Sequence, residues 1–148
     1  MRAGLEAIFA ETAREITTRA PACWASGRCC NFTQAGHRLY VTGLEAAYTV
    51  SLAPATPGAR ELTPESLADA VARGGCPFQA ANLCSAHTIK PLGCRVYFCD
   101  RGAQRWQEDL SERMLARVRA LHEGHSIPYA YAEWGTLLSE LLKSTRGE

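Results

Sequence analysis

Seven cysteines constrain this chain more than any other feature, because they fall into two groups: Cys23, Cys29 and Cys30 in one stretch, and Cys76, Cys84, Cys94 and Cys99 in another. The stretch from Cys23 to Gly36 has no usable hydrophobic period and is rich in Cys, Gly and small polar residues, so it reads as a loop shaped by something other than apolar burial. A second irregular stretch runs from Cys76 to Asp100. An odd number of thiols leaves one unpaired in any all-disulfide scheme. Near the N-terminus, Glu6, Glu11 and Arg14 interrupt any apolar run long enough for a secretory signal or a membrane span, so the chain is expected to stay in the cytoplasm. Cytoplasmic thiols are kept reduced, which favours metal binding or redox chemistry over a disulfide framework.

Between and around the two groups the pattern is helical. Leu5, Ile8, Phe9, Ala13 and Ile16 predict an amphipathic helix over residues 3–19 with Glu6, Arg14 and Thr17 outward, ended by Pro21. His37–Val41 reads as a short extended segment. Thr42 is then an N-cap with Glu45 at the capping-box position, for a helix reaching about Leu52. Thr63, Pro64 and Ser66 open another helix that Gly74-Gly75 closes. Trp106, Leu110, Met114, Val118 and Leu121 mark a long helix from about Ala103 to Glu123, and Tyr131, Trp134, Leu137, Leu138 and Leu141 a last one. The tail from Lys143 to Glu148 reads as a frayed, solvated end. A chain of 148 residues, 47% of them hydrophobic, supports one core. The expected fold is therefore mainly α: a small single domain, 1–148, of about five helices around two cysteine-rich loops that form a metal site, with the motif region at 23–99 and C-terminal helices over 103–143.

A helical pair separates the two loops and can fold back to bring them together, so that one site draws ligands from both. Neighbouring side chains in extended backbone point to opposite sides, so Cys29 and Cys30 are not expected to serve one mononuclear ion together. A multi-iron cluster asks for one thiolate at each of several corners and accommodates such crowding better. Cys76-Pro77 also matches the Cys-Pro step found after cluster ligands.

The order of these residues resembles the YkgJ-type cysteine-cluster family, described as a zinc- or iron-chelating domain. That family opens with Cys-x-x-Cys-Gly-x-Cys-Cys, and here Cys23, Gly27, Cys29 and Cys30 match while Ser26 stands at the second cysteine. It continues with Cys-Pro-Phe, Cys-x-x-His or Tyr, and Arg-Pro-x-x-Cys-Arg-x-Tyr. This chain supplies Cys76-Pro77-Phe78, Cys84 with His87, and Lys90-Pro91 followed by Cys94-Arg95 and Tyr97, with Lys90 in place of the arginine. The resemblance covers residues 23 to 99 and implies that Cys23, Cys29, Cys30, Cys76, Cys84 and Cys94 belong to a metal region. Cys99 is less regular in the family and reads equally as a ligand or as a small buried hydrophobe. His87, three residues after Cys84, is either a fourth zinc ligand or a ring packed beside the site. Arg95 is either a counter-charge for a thiolate centre or a fold-holding ion pair. Trp24, Trp106 and Trp134 read as core residues more than as pocket lining, and His37, His122 and His125 as surface or packing residues.

Three functions compete. The favoured one is an iron–sulfur protein, with a 4Fe–4S cluster on cysteine thiolates, that transfers electrons or senses redox state with a protein or redox partner. The alternative is a structural zinc domain acting as an interaction or chelating module. A metal-dependent enzyme ranks last: similar clusters occur in the much larger flagellin lysine methylases, but this chain shows no glycine-rich nucleotide loop, Ser-His-Asp set or paired carboxylates. Sixteen basic against fifteen acidic residues leave a net charge of +1, so neither nucleic acid nor a membrane surface is expected as a partner.

Overall fold

The computed structural model describes residues 1–23 and 26–147. In chain order the helices are α1 (Arg2–Arg19), α2 (Phe32–Ala35), α3 (Gly43–Leu52), α4 (Pro64–Ala72), α5 (Leu92–Val96), α6 (Gln104–Gly124) and α7 (Trp134–Arg146). Four short strands make two antiparallel pairs, β1 (Tyr40–Thr42) with β4 (Tyr131–Glu133) and β2 (Gln79–Ala80) with β3 (Leu83–Cys84). The five longer helices are those that spacing and caps predict. The two additional ones, α2 and α5, are single short turns inside the cysteine stretches, which are therefore more ordered than loops.

Local chemistry explains most of the boundaries. Thr42 accepts from the Glu45 backbone N–H while the Glu45 carboxylate accepts from Thr42 N, the reciprocal cap that starts α3. Thr63 and Ser66 repeat the arrangement at α4, with Pro64 at its first position. α1 ends at Ala20, which turns into the left-handed region and returns its N–H to Ile16. Its buried stripe is Leu5, Ile8, Phe9 and Thr12 rather than one through Ala13, which is exposed. Thr12 is tolerated inside because its hydroxyl donates to the Ile8 carbonyl at 2.8 Å.

Two expectations about the C-terminal region change. Tyr131 is not helical: residues 131–133 pair with β1 in the register Tyr40 with Glu133 and Thr42 with Tyr131, and α7 begins only at Trp134. The tail is not frayed from Lys143, because α7 continues to Arg146. Trp24 and Glu148 lie outside the described residues.

Packing divides the interior into two adjoining cores. Leu5, Ile8 and Phe9 of α1 meet Leu92 and Val96 of α5 and Leu110, Met114 and Val118 of α6. Val41, Ala46, Leu67, Phe78, Trp134, Leu137 and Leu138 form the second, with Cys30 and Cys76 at its edge. Glu45 joins them. It is 1% exposed, and its carboxylate accepts from Thr42 N at 2.9 Å, Thr42 Oγ1 at 2.8 Å and Leu92 N at 2.7 Å, so one buried side chain caps α3 and holds the start of α5.

Candidate metal centre

The first cysteine group is shaped by Gly27, whose φ of 71° only glycine adopts freely and whose missing Cβ leaves room for the Asn82 side chain. A 3-10 turn follows over Arg28–Cys30. Because successive side chains in such a turn step by about 120°, Cys29 and Cys30 are not splayed as in extended backbone, and their thiols meet. This corrects the expectation that they face apart.

The second group is delivered by three different devices. Gly74, at φ 70°, turns the chain out of α4, and Cys76 then donates its backbone N–H to the Cys30 carbonyl at 2.8 Å. That bond ties the two stretches backbone to backbone. Cys84 ends the β2–β3 hairpin, whose turn residues Ala81 and Asn82 both have positive φ, the pattern of a tight two-residue turn. Asn82 also donates to the Ser26 carbonyl at 2.9 Å, and Gln79 to the Gly27 carbonyl at 3.2 Å, so the hairpin docks on the first group. Cys94 sits within α5, which Glu45 positions.

All seven cysteines line one cavity of about 580 Å³, with Phe9, Ile16 and Phe98 among its other walls. Within it the thiols are not equivalent. Cys30 is central: it touches Cys29, Cys76 and Cys84. Its contacts with Cys29, Cys76 and Cys84 push Cys30 far up, and these neighbours are lowered, each by the Cys30 contact first. Cys29 falls to about 6 and Cys84 to about 7, both helped by the charge of Lys90. Backbone N–H groups add to this, Phe78 on Cys76 and Ala86 on Cys84. Burial, and then the neighbouring Cys76 and Cys84 thiols, push Cys94 up. At the rim stand Cys23, exposed, and Cys99, whose Sγ lies 3.9 Å from Ser26 Oγ. Ser26 thus faces Cys99 rather than the thiols around Cys30.

Among the described residues, no three His, Cys, Asp or Glu side chains stand in the arrangement of a ready ion site. The thiols are packed on Cys30 instead of around a common centre. Their chemistry nevertheless fits a thiolate-bound group: the donor set is sulfur throughout, two thiols carry pKa values near neutrality, and N–H groups face the sulfurs.

The neighbouring polar residues take different parts from those expected. His87 is exposed, and its Nε2 lies 3.1 Å from Lys90 Nζ, an acceptor for that ammonium. Lys90, then burial, lower its pKa. It stands beside the site, occupied with Lys90. Arg95 makes no ion pair among the described residues. It donates to the Lys90 and Thr88 carbonyls at 2.8 and 3.0 Å and lies 3.9 Å over the Phe9 ring, fixing the stretch that leads into α5 to α1. His37 stacks on Tyr97 with ring centroids 4.7 Å apart, and burial lowers its pKa. Trp106 packs beside Phe98 under Arg19. Trp134 is core, yet also lines the cavity. Two contributors escaped the sequence reading. Lys90 was visible only as a replaced arginine, although its charge acts on three of the thiols. Trp134 lies far beyond the motif region, where no spacing signals it.

No helix among the described residues is long and apolar enough to cross a membrane. No family model, curated protein or solved structure matches the chain.

Proposed function

We propose that this protein holds an iron–sulfur cluster through cysteine thiolates and serves a redox partner in electron transfer or redox sensing. The observation that carries the reading is the convergence of all seven cysteines on one cavity, with Cys29, Cys76 and Cys84 each in contact with Cys30. Burial disfavours a thiolate and one thiolate disfavours a second beside it, so thiols gathered in one cavity ionise together only where a bound cation or cluster offsets the charge.

In this reading Cys29, Cys30, Cys76 and Cys84 hold the group, with Cys94 adjoining them. A bound 4Fe–4S cluster supplies one-electron chemistry. Lys90 offsets the negative charge that thiolates gather. The N–H groups of Phe78 and Ala86 orient the Cys76 and Cys84 sulfurs, and Phe9 and Ile16 shelter the cavity from water. The likeness to the YkgJ-type family supports the same reading. Cys30 and the three thiols it touches also match the number of ligands that a structural zinc ion takes, which keeps a zinc module as the second reading.

The test is the iron, zinc and acid-labile sulfide content of protein purified without oxygen, with its absorption spectrum. The proposal expects about four iron and four sulfide per chain and a visible band that bleaches on reduction. One zinc per chain without sulfide would replace it with the structural module.

A further inference from the structure

Trp134 carries an unusual buried donor. It is 2% exposed, and its Nε1–H has no hydrogen-bond acceptor. Native proteins leave few such groups unpaired, and those that persist tend to mark a role. The ring is enclosed by the core, with the Phe78 ring centroid 6.1 Å away, and its main chain is held by a backbone N–H bond to the Leu39 carbonyl at 2.8 Å. It lines the cysteine cavity and shares a core with Cys76, and the Cys76 sulfur is the polar atom that the indole N–H acts upon. The pair stops short of a closed hydrogen bond. A neutral thiol is a weak acceptor, whereas a thiolate is a charged and much stronger one.

Resting on the cluster reading above, we propose that Trp134 is a positioning residue of the centre: its indole N–H donates to the Cys76 sulfur once that sulfur is a metal-bound thiolate, and so raises the reduction potential of the bound cluster. Donors on a ligand sulfur withdraw electron density and favour the reduced, more negative state. Cys76 would then carry two donors, the backbone N–H of Phe78 and the indole of Trp134, where Cys84 carries one.

Trp134→Phe removes the N–H and keeps the aromatic packing against Phe78. Redox titration of the anaerobically loaded full chain should show an unchanged iron and sulfide content with a lower potential in this variant, while Trp106→Phe, beneath Arg19, leaves the potential at the wild-type value. A loaded Trp134→Phe protein with the wild-type potential would overturn the role and leave the cluster reading intact. If the variant does not assemble a cluster, the wild-type indole N–H resonances decide. The Trp134 signal shifting on loading far more than that of Trp106 supports the bond, and equal shifts overturn it. Wild-type protein without iron or sulfide would overturn the cluster reading itself.

Discussion

At the scale of single residues, the cavity separates cysteines that the sequence presents as equals. Cys30 touches three other thiols, while Cys99 faces Ser26 at the rim. Cys30→Ser, which removes one of the proposed ligands, is therefore expected to reduce bound metal to less than about a tenth of the wild-type content, and Cys99→Ser to retain most of it; elemental analysis of both variants checks this. Glu45 matters by a different mechanism. Its carboxylate answers three donors in the interior, and Glu45→Ala leaves Thr42 N and Leu92 N buried without acceptors. The expected loss is about 3 kcal/mol of folding stability, read from urea unfolding of the metal-free protein. The capping half of this role was legible, since Thr42 and Glu45 stand at the spacing of a capping box. The reach to Leu92 was not, because it depends on a partner 47 positions away.

Among elements, α1 and α6 are joined by an apolar seam and fastened at its edge by ion pairs. Arg113 donates to both oxygens of Glu15, at 3.0 and 2.7 Å, and Arg117 pairs with Glu11. The hydrogen bond from Arg113 comes first among the causes that hold the Glu15 carboxyl below its ordinary value. A carboxyl depressed in the folded state binds its proton more readily in the unfolded one, so its stabilising effect is complete above the unfolded pKa of about 4.3 and disappears as pH falls through the lower folded value. Urea midpoints of wild type and Arg113→Gln should thus differ by a constant amount above about pH 5 and converge as pH falls through the lower folded value. With Arg113 about half exposed, the difference is expected to be small. Helix-level features were the most readable part of the chain, because apolar spacing and caps act within a few residues of where they are written. β4 was misread as helix for the converse reason: Tyr131–Glu133 become extended only against β1, and Tyr131 supplies an aromatic side chain suited to either state.

For the molecule as a whole, the cysteine cavity lies where the two cores adjoin, bordered by Phe9 of α1 on one side and Trp134 of α7 on the other. Ligand binding to the folded form alone adds stability by mass action, so on the cluster reading proposed above a chelator that strips the metal should lower the thermal midpoint by at least about 5 °C, followed by circular dichroism at fixed protein concentration. The gathering of the cysteine groups was legible from their separation by a helical pair. Their internal order was not: the ranking of Cys30 over Cys99 follows from a 3-10 turn, a hairpin and one backbone bond, none of which the spacing encodes. The Cys76 N–H to Cys30 carbonyl bond also sets a timetable for biosynthesis. A ribosome delivers Cys23, Cys29 and Cys30 first, and at about 5–20 residues per second the last cysteine follows Cys30 only after about 3 to 14 s. Through that interval the early thiols stand without the carrier segments that complete their surroundings, and Trp134 emerges later still. On the cluster reading proposed above, loading is accordingly a late, post-translational event.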